Sequence, residues 1–194
     1  MRNLSVLFVA LPLLAQTNAL TKQEIKDGWI LLFDGKTMKG WTPVGEPKWA
    51  VERGAIMALP GFKSLGWIRN EQQFSDFELK LEFRAKEDAN SGVFLRSASE
   101  GQPHVTGYEL QIWVGNAKYP TGSLVNHAST MKGKFKGDVW NSYDVIATGD
   151  HFVVKLNGEE VLDAHDSKSK SGHIGMQSNQ HKIEFRNIKV RELK

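Results

Sequence analysis

The segment from Tyr108 to Trp113 reads Tyr-Glu-Leu-Gln-Ile-Trp and alternates apolar with polar side chains. Successive side chains of a strand point to opposite faces, so Glu109, Gln111 and Trp113 are predicted to share one face. A carboxylate and an amide bind hydroxyl groups, and an indole ring stacks on the apolar face of a sugar. The pattern favours a carbohydrate-contact surface. The solvent face of an ordinary sheet, with Trp113 in the core, gives the same alternation.

A second candidate segment runs from Asn90 to Arg96 and reads Asn-Ser-Gly-Val-Phe-Leu-Arg. The same alternation predicts that Arg96 shares a face with Gly92 and Phe94. The guanidinium group presents a fixed fork of donors that can clamp an oxyanion or a pair of hydroxyls. Arg96 is therefore a candidate catalytic residue, and Asn90 a candidate substrate contact.

The six histidines form no His-x-x-x-His pair and have no cysteine near them, so the ligand spacing typical of zinc proteins is absent. His127 follows Gly122-Ser123-Leu124 in a predicted loop, where it is a reserve acid or base; an exposed histidine without a role is the alternative. The chain has no Gly-x-Ser-x-Gly motif, P-loop or Rossmann fingerprint, which argues against serine hydrolases and nucleotide enzymes.

The elements that must position these residues are strands. Phe77 to Arg84 alternates apolar and charged residues throughout, which predicts a half-buried strand. Asn157-Gly158 lies between apolar runs and predicts a tight hairpin, and Thr21 with Glu24 predicts a capping box on one short helical turn. Further strand candidates are Val93–Leu95, Tyr108–Trp113, Tyr143–Ala147, Phe152–Leu156 and Ile183–Val190. Many short strands with glycine-rich turns predict an all-β sandwich or jelly roll of two sheets.

Composition is that of one ordinary globular domain: 194 residues, 40% hydrophobic and 24% charged. Six Trp and ten Phe are many for this length and fit a core or ligand stacking. A net charge of +3, spread along the chain, does not indicate a nucleic-acid surface. Without cysteine, the fold depends on its core rather than on disulfides.

Residues 1–19 have the pattern of a cleaved signal peptide. A basic start is followed by an apolar run from Leu4 to Leu14 and by Thr17-Asn18-Ala19 as a cleavage site. The run is too short for a membrane anchor, and no cysteine follows it for lipid attachment. We therefore expect a periplasmic or secreted protein with a single domain over residues 20–194.

An ordered series of short motifs carries a family resemblance from about Gly28 to Lys194. The motifs are Leu32–Lys36 with Gly40-Trp41, Asp76–Leu79, Asn90–Arg96, Gly107–Ile112, Thr121–Leu124, Trp140-Asn141, Leu156–Gly158, Gly172–Gln177 and Glu184–Ile188. With these motifs the chain resembles the 3-keto-disaccharide hydrolase family, which has a concanavalin A-like lectin/glucanase fold. Each motif is weak alone, and their order is what makes the resemblance specific.

The resemblance implies a jelly-roll sandwich of two curved antiparallel sheets that binds its ligand on the concave face. It also implies export, and glycosides oxidised to a ketone at C3 as substrates. The residues it places in the cleft are Arg96, Glu109, Gln111 and Gln177. The chain has Val114 and Val125 where the family often has Asp and Tyr.

A ketone at C3 acidifies the C2 proton, so a base can remove it and the resulting enolate can expel the C1 substituent before water adds. We expect Glu109 to be the base, with Arg96 or a bound divalent metal ion stabilising the enolate. The expected sugar contacts are Gln111, Gln177, Asn90 and a stacking Trp113, with His127 in reserve. The predicted partner is a small saccharide, with no nucleic acid and no membrane anchor.

Two other classes of function fit parts of the pattern. A non-catalytic carbohydrate-binding module would use the same aromatic and amide groups, because a fold does not fix a function. A structural or protein-binding sandwich would leave the Arg, Glu and Gln cluster unexplained.

Overall fold

The computed structural model describes residues 16–61 and 64–194. Over these residues the chain forms two short helices, α1 (Lys22–Lys26) and α2 (Pro103–Thr106). The strands are β1 (Ile30–Leu31), β2 (Trp41–Val44), β3 (Trp49–Glu52), β4 (Ala55–Ala58), β5 (Gly66–Phe74), β6 (Phe77–Ala85), β7 (Ser91–Ser97), β8 (Tyr108–Ile112), β9 (Asn141–Thr148), β10 (His151–Leu156), β11 (Glu159–His165), β12 (Gly172–Ser178) and β13 (Ile183–Glu192).

The strands form two antiparallel sheets. The larger sheet has the order β11-β10-β9-β6-β13-β4-β3, with β1 paired to β13, and the smaller has the order β2-β5-β12-β7-β8. A single apolar core fills the space between them. The predicted all-β jelly-roll sandwich is confirmed. No helix among the described residues is long and apolar enough to cross a membrane.

Strand β6 shows how alternation builds the larger sheet. Its apolar residues from Phe77 to Phe83 are buried, while the charged residues between them are half-buried on the outer face. That face is crossed by ion pairs between neighbouring strands: Arg84 with Glu184 (2.8 Å), Arg186 with Glu82 (2.7 Å) and Arg191 with Glu78 (2.5 Å). Three of the four charged positions of the pattern are therefore paired across strands, and the fourth, Lys80, pairs with Glu78 of its own strand.

Two local predictions are also confirmed. Thr21 caps α1, with the reciprocal contacts to Glu24 that define a capping box. Asn157 and Gly158 connect β10 to β11 with φ of +53° and +83°, the two positive values that a type I′ turn requires.

Residues 1–15 of the predicted signal peptide (residues 1–19) lie outside the described part of the chain. The described part includes Asn18, whose backbone N–H donates to Asn187 Oδ1 (2.5 Å) and whose side-chain amide donates to the Gly54 carbonyl (2.8 Å). Asn187 returns a hydrogen bond from its backbone N–H to Asn18 Oδ1 (2.8 Å). Cleavage after Ala19 would remove these contacts from the sandwich.

The prediction that Arg96 shares a face with Gly92 and Phe94 is wrong. Its φ is +52°, in the left-handed region, and the pairing of β7 with β12 shifts register between His173 and Gly175. A residue in this conformation breaks the strict alternation of an extended strand. Its side chain therefore turns away from the face of Phe94 and enters the protein interior, where it is fully buried.

The buried guanidinium of Arg96 is held by groups from three separate segments. Nε donates to the carbonyl of Ser75 (2.7 Å), and Nη1 donates to the carbonyls of Gly149 (2.6 Å) and Ser169 (3.2 Å). Nη2 forms an ion pair with Asp76 (3.1 Å). These contacts give Arg96 a structural role rather than a place on the outer face.

Replacing Arg96 with Met should lower the free energy of unfolding by about 3 kcal/mol, because it leaves buried carbonyl groups without donors. For a chain of this size that is a fall in melting temperature of roughly 10 °C, measurable by calorimetry. Arg53→Met, in an exposed turn, is the matched control and should melt with the wild type. An Arg96→Met protein with unchanged stability would contradict the structural role.

Candidate functional site

The outer face of the smaller sheet brings aromatic and polar side chains of four strands together. They are Trp67 of β5, Phe94 of β7, Glu109 and Gln111 of β8, and Gln177 of β12. The register sets this arrangement, because Phe94 lies opposite Glu109 and Gln177 lies opposite Trp67. Their strand neighbours, such as Leu110 and Met176, point into the core.

Two glycines make room for the largest of these side chains. A Cβ on Gly92 would lie 2.9 Å from Glu109 Oε1, and a Cβ on Gly175 would lie 2.3 Å from Trp67 Cε3. Real Cβ atoms do not approach so closely, so the carboxylate and the indole ring lie directly on the backbone of the sheet. The ring of Phe94 meets the indole edge-to-face, with centroids 5.4 Å apart.

Glu109 is the ionisable group of this cluster. It is 7% exposed and accepts a hydrogen bond from Gln177 Nε2 at 2.9 Å. Burial raises its pKa to about 7, against the smaller lowering effect of the Gln177 amide. A carboxyl group with this pKa exchanges a proton near neutral pH, as a general base requires.

Three buried polar atoms of the cluster have no hydrogen-bond partner in the described protein: Trp67 Nε1, Gln111 Oε1 and Gln177 Oε1. Leaving such an atom unsatisfied costs roughly 1–3 kcal/mol, and nearly all buried polar groups of native proteins are paired. Orphaned donors and acceptors beside a buried carboxyl group therefore indicate a place for a polar ligand.

A cavity of about 270 Å³ opens onto Trp67, Phe94 and Gln177. Its walls are the β2 end and β5 start on one side and the α2 region on the other, namely Val44, Gly45, Leu65, Gly66, Gly101, Gln102, Pro103 and His104. The volume lies just below the range of roughly 300–1,000 Å³ typical of small-molecule sites. A compact ligand with one apolar face fits this lining.

Arg69 of β5 supplies a positive charge to the same face. It lies opposite Gly175, which in turn lies opposite Phe94. Its Nη1 is 3.3 Å from His173 Nε2, and His173 Nδ1 is 2.9 Å from the Asn70 carbonyl. A carbonyl only accepts, so Nδ1 carries the proton and Nε2 accepts from Arg69. The buried Nε of Arg69 has no partner in the described protein.

Three of the sequence-predicted residues lie together as expected: Glu109, Gln111 and Gln177. Trp113 is half-buried just beyond β8, with its Nε1 over Gly115, and Asn90 is half-buried directly before β7. These two flank the cluster.

His127 is not brought to Glu109. Its ring packs against Tyr108, a core-facing residue of β8, with centroids 5.0 Å apart. Its Nδ1 is 2.8 Å from Asp166 Oδ2, and its Nε2 is 3.3 Å from Lys168 Nζ. The predicted reserve acid or base therefore lies with residues of the opposite face of the strand.

Sequence reasoning missed Trp67, Phe94 and Arg69 as site residues. Trp67 and Arg69 are two residues apart in β5, a spacing that puts them on one face of a strand. That signal was present, but β5 itself was not predicted. Phe94 was placed on the correct face without being assigned a role.

Residues 28–191 match the family described as the 3-keto-alpha-glucoside-1,2-lyase-like domain. A curated relative, the 3-keto-disaccharide hydrolase of Bacteroides thetaiotaomicron, is 23% identical over 241 residues, covering 92% of this chain and 83% of the relative.

Two solved structures share the fold. A glycosyl hydrolase candidate from Parabacteroides distasonis has a TM-score of 0.79 at 24% identity, covering 92% of this chain and all of its own. The carbohydrate-binding module CBM66 from Bacillus subtilis has a TM-score of 0.65 at 21% identity, covering 79% of this chain and 96% of its own. Because the family match runs from just before β1 into β13, the chain belongs to the 3-keto-alpha-glucoside-1,2-lyase-like domain family.

Proposed function

We propose that this protein is an exported enzyme that cleaves glycosides bearing a ketone at C3, starting with removal of the C2 proton by Glu109. The observation that carries the proposal is a buried carboxyl group with a pKa of about 7, set among unpartnered amide and indole groups. The family membership and the named activity of the Bacteroides relative support the choice of substrate.

In the proposed reaction, Glu109 alone carries the proton from C2 to the leaving oxygen. The Glu109 carboxylate takes the C2 proton, and the electron pair of the C–H bond forms the enolate of the C3 ketone. The enolate then re-forms the ketone as the C1–O bond breaks, leaving a double bond between C1 and C2. Protonated Glu109 can return its proton to the departing oxygen, and water adds across the double bond to complete hydrolysis.

The enolate needs positive charge or donors near its oxygen. Since Arg96 is turned into the interior, we assign this role to Arg69, which lies on the same face as Glu109 and whose Nε has no partner among the described residues. The cross-strand row Glu109–Phe94–Gly175–Arg69 spans three strand spacings, or roughly 14 Å between the outer Cα atoms. Two long side chains leaning inward from its ends can face one sugar ring.

A divalent metal ion is the other candidate stabiliser. The described oxygen donors of the face are the Glu109 carboxylate and the amide oxygens of Gln111 and Gln177, a ligand type that suits hard cations. Such an ion would supply positive charge at the enolate oxygen.

The remaining groups are proposed to hold the sugar. Gln111 and Gln177 offer carbonyl oxygens that have no partner within residues 16–61 and 64–194, and Trp67 offers its indole N–H. Trp113, half-buried just beyond β8, is proposed to stack on the ring, and Asn90 to bond a peripheral hydroxyl.

A non-catalytic carbohydrate-binding module is the second candidate, and the likeness to CBM66 favours it. The unpartnered amides would serve a binder equally well. The raised pKa of Glu109 favours catalysis, because a binder gains most from a carboxylate that stays ionised, whereas a base must release and take up a proton.

Glu109→Gln should lower turnover of a 3-keto-glucoside at least about 100-fold, because it removes the proton acceptor and keeps the shape of the side chain. Release of free 3-ketoglucose, followed by mass spectrometry, measures this. Glu159→Gln, at the exposed start of β11, is the matched control and should keep full activity. If the wild type binds the ketosugar and releases no product, the enzyme hypothesis is wrong and the protein is a carbohydrate-binding module.

The same assay with EDTA separates the two enolate stabilisers. If Arg69 acts alone, EDTA leaves turnover unchanged and Arg69→Lys lowers kcat, because lysine lacks the planar fork of donors. Turnover that is lost with EDTA and restored by added divalent ions would assign the role to a metal instead.

The activity should rise with pH through a midpoint near 7, as Glu109 loses its proton. Stability should change in the opposite direction. The folded pKa is raised above the ordinary value of 4.5, so protonation favours the folded state, and its stabilising effect is lost as pH rises from about 4.5 to about 7. The expected loss is on the order of 3 kcal/mol. Denaturant unfolding at several pH values should show this slope in the wild type and not in Glu109→Gln.

A further inference from the structure

We propose that His151, Asp163 and His165 form a second site, which binds a divalent transition-metal ion of the Zn²⁺ type. The three residues lie on the β10–β11 hairpin at the edge of the larger sheet, away from the face that holds Glu109. The proposal is independent of the function proposed above.

The hairpin register brings the three side chains to one face. His151 lies directly opposite His165, and Asp163 is two residues before His165 on β11. Phe152 and its partner Ala164, which lie between these positions, pack in or against the core, so the three polar side chains point outward. This places them on the outer face of the larger sheet.

The pairing of the two histidines depends on a bulge. From the turn, Leu156 pairs with Glu159 and Lys155 with Glu160, but Val154 pairs with Leu162. The extra residue on β11 shifts the register by one position. Without it, His151 would face Ala164 and the two imidazoles would not meet across the strands.

The ligand atoms lie near the spacing that one shared ion requires. One atom from each residue can be chosen so that all three lie within 4.8 Å of one another. The imidazole rings are stacked, with centroids 4.5 Å apart and planes 9° apart, and His151 Nε2 is 2.8 Å from Asp163 Oδ1. Ligands 2.0–2.2 Å from a central zinc lie roughly 3–4 Å apart, so small rotamer changes complete the geometry.

A second carboxylate orients one of the imidazoles. Asp150 Oδ1 is 3.1 Å from His165 Nδ1, which leaves His165 Nε2 available to a metal. Metal-bound histidines commonly donate their other ring N–H to a carboxylate in this way. Two imidazoles and one carboxylate are the ligands of many zinc sites, with a fourth position left to water.

The charge pattern of the sheet supports a cation here. Acidic residues at the centre of this outer face pair with arginines, as Glu78 does with Arg191 and Glu184 with Arg84. Near the hairpin, Asp150 and Asp163 face imidazoles instead of guanidinium groups. A bound divalent ion supplies the positive charge that arginine supplies elsewhere.

The test is titration of the full chain with ZnCl₂ by calorimetry, together with the visible absorption of added Co²⁺, which becomes intense when the ion is four-coordinate as at a zinc site. We expect one ion per chain. His151→Ala and His165→Ala should each weaken binding about tenfold or more, and Asp150→Asn less. His181→Ala, outside the hairpin, is the matched control and should bind as the wild type does.

The proposal would be overturned if the wild type bound no zinc. It would also be overturned if His151→Ala, His165→Ala and the control His181→Ala all bound zinc with the same weak affinity. These surface side chains are between 39% and 64% exposed, so their variants are expected to fold normally. A metal requirement of turnover that persists in His151→Ala and His165→Ala would belong to the Glu109 face and would leave the hairpin result intact.

Discussion

The buried guanidinium of Arg96 is the interaction on which the smaller sheet depends. A charge inside a protein is tolerated only when it is paired and its donors are satisfied, and here three carbonyls and Asp76 do this. These partners come from the β5–β6 turn, the β9–β10 turn and the segment before β12. One side chain therefore ties the ends of both sheets together, at the cost of a left-handed residue in β7.

This inward turn decides which charges the outer face can use. With Arg96 committed to carbonyls, the positive charge on that face comes from Arg69, on the other side of β12. The charged groups of this face are therefore on different strands, with the carboxyl group on β8 and the guanidinium on β5. A sugar ring lying between them would cross the middle of the sheet, over the aromatic pair of Trp67 and Phe94.

Alternation in the sequence predicted much of this, where strands were regular. It predicted β6, the hairpin at Asn157-Gly158, and the shared face of Glu109 and Gln111, because each follows a period of two without interruption. Gln177 was identified only through the family resemblance. Strand β5 was missed because its second half, from Asn70 to Gln73, is polar on both faces and bulged, so it has no alternating signal.

The failures have a common physical cause. The positive φ of Arg96 and the bulge in the β10–β11 hairpin are both local departures from a regular strand, and neither has a glycine to mark it. Each changes which side chains meet: one removes Arg96 from a face, and the other brings His151 to His165. Residue spacing alone could not show a histidine pair that forms across two strands.

The indole of Trp67 lies directly on Gly175, with no side chain beneath it. Replacing Trp67 with a smaller residue would therefore expose the backbone of the sheet at Gly175 rather than a second layer of side chains. The hollow left behind would have the outline of an aromatic ring, bordered by Phe94. The sheet therefore has a flat space the size of one aromatic ring, which Trp67 fills. Substitutions at this position would change which ligands the adjoining cavity can hold.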